Sequence, residues 1–389
     1  MRTRFTRSSL PEPDVVDAAR ARACLDATAL KNNYAVIRKQ VPGQGVLPMI
    51  KANGYGHGAA WVARELLKEP DLIGFGVATL GEGARLREEL GPRARRLSVV
   101  VFAAMSPFTE EKAQFCELHG LEPVLSTEDA WRAFHKGAWA ERLKYHLEFE
   151  TGMNRLGIPF AQAPVIAREV GKRPIEHRPE SVFTHLASAE IPDGADCRKQ
   201  LERYDSIRQA FRPASPGTRL HFANSAAIWN SQTYGVDERS DWVRPGISLY
   251  GVAPWRDAPL RGLQPVMELR ASVVRCFALQ AGEGVGYGAT FRVPRGEKQS
   301  VAILAAGYAD GVHRILSNQA GVWLNGRFER ILGQISMDLM AVSASTQVKP
   351  GDEAVLLGPN VDIWALAKKA GTIPYELLTS VSSRVIRDG

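Results

Sequence analysis

Paired cysteines are missing from this chain. Cys24, Cys116, Cys197 and Cys276 are scattered over 389 residues, with no CxxC and no histidines at metal-ligand spacing. That argues against a disulfide framework and against a zinc site. No apolar run approaches the roughly 18 residues that span a bilayer, so no membrane association is expected. The opening Met1-Arg-Thr-Arg-Phe-Thr-Arg is basic but lacks the apolar core of a secretory signal. Residues 1–20 therefore read as a loosely attached tail, and the expected location is cytoplasmic. Basic blocks interleaved with aromatics are absent too, so the net charge of +7 leaves no nucleic-acid footprint. Neither an internal repeat nor a low-complexity segment is present.

What remains is an ordinary globular composition, 45% hydrophobic and 23% charged. Short apolar runs at 21–26, 45–52, 72–79, 97–103, 121–126, 144–150, 181–187 and 219–224 alternate with amphipathic stretches. Examples of the latter are Ala59–Glu69, Glu82–Leu90 and Thr127–Lys136. Eight such units predict an α/β fold, a (β/α)8 TIM barrel, although an open doubly wound sheet gives a similar pattern. After Tyr250 the texture turns to strands at 266–279, 284–293, 299–306, 321–332 and 334–344, with a hairpin signal at Asn325-Gly326. A helix is expected at Val361–Ala370, then a strand-like tail. Pro254, Pro259 and Pro265 mark the boundary. The predicted organisation is a tail (1–20), a TIM barrel (21–255) and a mostly β C-terminal domain (256–389).

In a barrel of this kind functional groups belong at the C-terminal ends of strands. The segment Val46-Leu-Pro-Met-Ile-Lys51-Ala-Asn-Gly-Tyr-Gly-His-Gly58 ends an apolar run in a lysine. A buried lysine is costly unless paired, neutralised or used. A desolvated amine is nucleophilic and can form a Schiff base with a carbonyl cofactor. A solvated surface lysine explains the segment equally well. Glu148 and Glu150 end the sixth run, followed by Thr151-Gly-Met-Asn-Arg155-Leu-Gly. His185 and Asn224-Ser225 follow later runs. Each alone reads as a cap, a surface arginine or a satisfied core histidine; a set on successive strands points to a site. Arg244 stands before Pro245-Gly246-Ile247, where a ring-nitrogen contact and phosphate-binding amides compete with a plain ion pair and turn. Tyr287 sits among glycines in Gly284-Val-Gly-Tyr-Gly-Ala-Thr-Phe291. Those glycines mark either a bulge or a close ligand approach.

Taken together, KANGYGHG, TGMNRLG, VRPGISLYG and VGYGATF resemble the alanine racemase family, with similarity from about residue 22 to 387. The resemblance implies pyridoxal 5′-phosphate (PLP) as cofactor. It implies a TIM barrel with a C-terminal β domain, and a head-to-tail homodimer whose sites draw on both chains. It further implies interconversion of L- and D-alanine by two bases, supplying D-alanine for peptidoglycan. By this resemblance Lys51 is the Schiff-base lysine and one base, and Tyr287 of the partner is the other. Tyr55, Ser225, Gly246, Ile247 and Tyr375 match phosphate-binding positions. Arg244 faces the pyridine nitrogen, and His185 links it to the tyrosine. Arg155 orients the substrate carboxylate and the cofactor's phenolic oxygen. Met337, with Asp338 beside it, binds that carboxylate from the partner, and Leu80 and Asn224 line the cofactor. Many members carry a carbamylated lysine where this chain has Glu148, so Glu148 is expected to supply that negative charge directly. Broader-specificity or serine racemases and basic amino-acid decarboxylases share the design. The decarboxylases place an acid at the pyridine nitrogen, so Arg244 argues against them. PLP carriers lack the C-terminal domain, and no metal cluster points to a TIM-barrel hydrolase.

Overall fold

The computed structural model describes residues 20–389 apart from Ala104, Asp193 and Leu260. The tail read at 1–20 thus lies, but for Arg20, outside the described residues. The chain divides into two compact units, one of residues 28–264 and one that joins 265–389 to residues 20–27.

The first unit is built on short parallel strands. Gly74–Val77, Ser98–Val101, Glu122–Leu125, His146–Glu150, Ser181–Phe183 and Arg219–His221 pair in that order. Ala223–Asn224 then pairs with Trp242–Arg244, and Trp242–Arg244 pairs with Gly45–Val46. Bridges from Val46 to Leu72 and from Met49 to Gly76 return the sheet to its start. Strands enclosed on both faces read as unbroken apolar runs. Val46, Phe75, Val77, Leu125, Leu147, Val182, Leu220 and Val243 are all fully buried, each worth roughly 1.5–3 kcal/mol relative to exposure. Threonines start three of the outer helices. Thr79 caps Leu80–Leu90, Thr109 caps Glu110–His119 and Thr127 caps Glu128–Lys136, each side chain accepting the backbone N–H three residues on.

The eight strand positions are not the eight read from sequence. Segment 21–26 was expected to open the barrel. Instead, Ala21–Leu25 lies in the second unit, antiparallel to Met267–Ala271 and parallel to Ile386–Asp388. Its pattern explains the difference. Ala21 and Ala23 are buried while Arg22 turns outward to Glu353 at 2.6 Å. That is the alternation of a half-exposed antiparallel strand and not the continuous burial of a barrel strand. The vacant position is filled by Trp242–Arg244, so Arg244 ends a barrel strand.

In the second unit Met267–Gln280 is the longest strand, pairing with Lys298–Leu304 on one side and Glu353–Leu357 on the other. From Glu353–Leu357 the sheet continues through Gly321–Leu324, Arg327–Leu332 and Met340–Ser343 back to Lys298–Leu304, closing an antiparallel barrel. The expected hairpin turns at Asn325 and Gly326, whose φ values of 46° and 78° suit a two-residue turn with both residues left-handed. Segment 284–293 is two short strands, Gly284–Val285 and Phe291–Arg292, around a turn that holds Tyr287. No helix of the described residues is long and apolar enough to cross a membrane.

Candidate active site

Lys51 follows the Gly45–Val46 strand at the C-terminal end of the parallel sheet. The chain leading to it is held from both sides. Leu47 and Met49 N–H donate to the Val243 and Pro245 carbonyls, and Ile50 N–H donates to that of Gly76, all at 2.9 Å. Immediately beyond Lys51 the backbone is left-handed at four successive residues, Ala52, Asn53, Gly54 and Tyr55, with φ between 50° and 64°. Such a conformation costs about 1–2 kcal/mol for each residue with a side chain, so it persists only where neighbours fix it. The Ala52 N–H donates to Glu82 Oε1 at 2.8 Å, and Asn53 Oδ1 accepts from Ala59 N–H at 3.0 Å. Glu82 Oε2 meanwhile accepts from Ala78 and Thr79 N–H at 2.8 and 3.2 Å. One carboxylate thus ties a helix cap to the turn that carries the lysine. Sequence reading did not single out Glu82, although Thr79-Leu-Gly-Glu82 is a capping box.

Arg244 forms the floor. It is 3% exposed. Its Nη1 donates to His221 Nδ1 and its Nη2 to the carbonyls of Thr184 (2.9 Å) and Phe222 (3.1 Å). The guanidinium also lies over the Phe183 ring, 4.8 Å from its centroid. Burial pulls its pKa down to about 10, with Glu148 the main opposing charge, so it stays a cation at neutral pH. The histidine that bonds it is His221, which sequence reading passed over in favour of His185.

Next to Arg244, Ser225 Oγ accepts the N–H of Gly246 at 2.9 Å and that of Ser248 at 3.5 Å. A Cβ on Gly246 would lie 2.6 Å from Tyr55 Oη, so only glycine lets the tyrosine approach. The Tyr55 ring stacks on Tyr250 at 4.8 Å between centroids, and Tyr250 donates to the Met49 carbonyl at 3.0 Å. Ile247 is fully buried. The Ser248 hydroxyl is also fully buried and has no hydrogen-bond partner among the described residues. Asn224 caps the helix Ser225–Trp229 through Ala227 N–H at 3.0 Å, and half-buried Leu80 opens its own capped helix.

Charge couples these groups. Burial, then the charge of Arg155, lowers the Lys51 pKa; Glu82 opposes and Arg244 adds to the shift. Desolvation and the cations Arg244, Arg155 and Lys51 push His185 down to about 3. Burial raises Glu148, against a 2.8 Å hydrogen bond from Ser126 and the charges of Arg244 and Arg155. Glu150 accepts the backbone N–H groups of Gly152 and Arg155, so it shapes the loop that bears the exposed Arg155 side chain.

The remaining expected residues belong to the second unit. Tyr287 is 74% exposed, between Gly286 and Gly288, both at positive φ. Met337 is 52% exposed. Asp338 pairs with Arg384 Nη2 at 2.9 Å, and Arg384 also binds buried Asp310 at 2.7 Å, which pins the Met337–Asp338 turn. Half-buried Tyr375 lies on the helix Pro374–Thr379.

A family model for the alanine racemase N-terminal domain matches residues 25–254, and one for the C-terminal domain matches 266–388. The chain belongs to the alanine racemase family. It is 36% identical over 371 residues to the alanine racemase of Carboxydothermus hydrogenoformans, covering 92% of this chain and 96% of that protein. Among solved structures it is similar to the alanine racemase of Streptomyces coelicolor A3(2), with a TM-score of 0.85 and 28% identity over 96% of this chain and 99% of that one. It is also similar to the Bartonella henselae alanine racemase with covalently bound pyridoxal phosphate. That match has a TM-score of 0.80 and 29% identity, over 95% of this chain and 99% of the other. Racemase-family membership gives the cluster around Lys51 its context, because the fold and the motifs agree over both units.

The depressed histidines make the folded chain acid-sensitive. Between about 6.5, the unfolded histidine value, and about 3 for His185, the unfolded chain binds the extra proton. Stability is therefore full above this window and falls as pH drops through it. His185 alone is expected to contribute on the order of 3 kcal/mol of loss by pH 4. Urea unfolding of the cofactor-free chain at pH 7 and pH 4 should show a His185→Gln variant losing less than the parent. Equal losses would refute the assignment.

Proposed function

We propose that the chain interconverts L- and D-alanine with PLP, as a homodimer whose sites are completed by Tyr287 and Met337 of the partner, and that it supplies D-alanine for peptidoglycan. The observation that carries the reading is the grouping at one barrel mouth of a lysine biased toward its neutral amine, a buried guanidinium, and a hydroxyl-and-amide cradle. Those donors fit the cofactor. Lys51 suits a carbonyl carbon, Arg244 a ring nitrogen, and Ser225, Tyr55 and the Gly246 and Ile247 amides a phosphate, to which the family resemblance adds Tyr375. The orphaned Ser248 hydroxyl beside that cradle supports the fit.

When bound, the cofactor draws electrons away from Cα of an attached amino acid. The chain's task is then to move one proton. Lys51 Nζ takes or returns it on one face and the partner's Tyr287 Oη on the other. Because guanidinium keeps its proton, Arg244 holds the ring nitrogen without protonating it. This limits electron withdrawal and favours prompt return of the proton over other bond cleavages. His185, coupled to Arg244 by charge while His221 takes the hydrogen bond, is assigned the link to the tyrosine. Arg155 and the Met337 amide orient the substrate carboxylate, with Asp338 beside them, while Leu80 and Asn224 line the cofactor. Tyr287 and Tyr375 crowd the side-chain position, which favours a methyl group. Glu148 supplies the anion that holds Arg155.

Three outcomes test this. Borohydride reduction of PLP-treated protein should leave the label on the Lys51 peptide, and the protein should racemise L-alanine; a label elsewhere or optical activity retained would refute the reading. Mixing inactive Lys51→Ala and Tyr287→Phe variants under confirmed subunit exchange should restore one intact site per heterodimer, and continued inactivity would refute the shared site. Glu148→Gln should raise the KM for alanine about ten-fold, roughly 1.4 kcal/mol; unchanged KM and kcat would remove Glu148 from the mechanism.

A further inference from the structure

Five polar side chains from five consecutive barrel strands form one hydrogen-bonded chain that ends at Arg244. Glu122 and His146 open their strands and Ser181 opens the next, while His221 and Arg244 close theirs. Glu122 Oε2 lies 3.1 Å from His146 Nε2, and His146 Nδ1 lies 2.8 Å from Ser181 Oγ. Ser181 Oγ lies 2.9 Å from His221 Nε2, and His221 Nδ1 meets Arg244 Nη1. All five are less than 9% exposed. The Phe183 ring stacks on His221 at 4.9 Å, and Trp242 lies 5.4 Å from His221 and 6.3 Å from His146. These rings shield the chain from water.

Donor chemistry orders it. A guanidinium only donates, so His221 Nδ1 accepts, and a neutral His221 carries its proton on Nε2. That proton goes to Ser181 Oγ, and the serine hydroxyl then donates to His146 Nδ1. His146 Nε2–H donates to the Glu122 carboxylate, whose other oxygen takes the Ser98 hydroxyl at 3.0 Å. Every donor points the same way, from Arg244 at the mouth to Glu122 at the opposite end of the strands. Titration agrees with this order. Burial, then the charge of Arg244, keeps His221 neutral. At Glu122 burial raises the pKa, but the hydrogen bonds from His146 and Ser98, with the charge of Lys144, bring it below the ordinary range. A buried carboxylate is expensive, and an apolar replacement is often no less stable, so packing alone does not account for Glu122.

We propose that Glu122 is a positioning residue for Arg244: through His146 and Ser181 it fixes the His221 tautomer that accepts from the guanidinium, and so fixes where Arg244 meets the cofactor ring. The role of Arg244 in this statement rests on the racemase reading above.

The test combines histidine 15N NMR of the cofactor-free chain with kinetics of the loaded enzyme. In the parent, His146 and His221 should both be neutral Nε2–H tautomers. Glu122→Leu should release His146 to a tautomer mixture and lower kcat about ten-fold with KM nearly unchanged. Glu122→Gln keeps an acceptor and should rescue both. Should the leucine variant fail to fold, Ser181→Ala cuts the same chain with less volume change and should give the same two effects. Combining Ser181→Ala with Glu122→Gln should then be no worse than Ser181→Ala alone. Parent-like tautomers and kcat in a folded Glu122→Leu or Ser181→Ala variant would overturn the proposal, as would a glutamine variant as impaired as the leucine one. The NMR arm stands even if the parent fails to racemise alanine, so failure of the chain and failure of the functional reading are separable.

Discussion

A guanidinium enclosed at the end of a barrel strand must be given acceptors on every side, and the structure around Arg244 is largely the answer to that demand. Two carbonyls, Thr184 and Phe222, turn toward it, and His221 Nδ1 accepts a third hydrogen bond. Each acceptor fixes a backbone or a tautomer in turn. The strand that delivers Arg244 also pairs with the strand that leads to Lys51, and Pro245 accepts the Met49 N–H three residues beyond that strand. Placement of the lysine and placement of the arginine are therefore one geometric problem.

Putting cations this close has a second consequence. Arg155 and Arg244 both depress Lys51, and Lys51 joins them in depressing His185. In the proposed role of Lys51 as a base the repulsion is useful, but it is destabilising for the fold. Glu148 and Glu82 counter it in different ways. Glu148 is buried and offers charge. Glu82 spends both oxygens on backbone amides, so it holds the strained left-handed turn and softens the field at Lys51 at the same time.

Much of this was legible in the chain itself. Apolar runs bounded by helices gave the barrel, Asn325-Gly326 gave its hairpin, and the glycine-flanked motifs around Lys51, Arg244 and Tyr287 gave the family. What was illegible has two physical causes. The Ala21–Leu25 strand was misassigned because its period-2 burial is hidden by two small alanines and a cysteine, leaving only Arg22 as a polar marker. Glu122, His146, Ser181 and His221 are separated by 24, 35 and 40 residues, and nothing local links them. Only sheet register, with His146 opposite Ser181 and Phe183 opposite His221, brings them into line. Glu82 was legible in principle, since a capping box is a local pattern, but its second bond to Ala52 is not.

The exposure of Tyr287 and Met337 follows from the same division of labour. In the second unit a closed antiparallel barrel buries Ala302, Val342 and Ala354 completely, so its core needs neither residue. Tyr287 projects from a short hairpin between two glycines at positive φ and is left largely uncovered within its own unit. The Met337–Asp338 turn is fixed from behind, by Arg384 bridging Asp338 to buried Asp310. Two groups left uncovered in their own unit are what a site completed by assembly requires. Proton transfer on opposite faces of one carbon calls for bases approaching from opposite sides. In the proposed homodimer a second copy of the chain supplies such an approach without any strand of the barrel having to cross its own mouth.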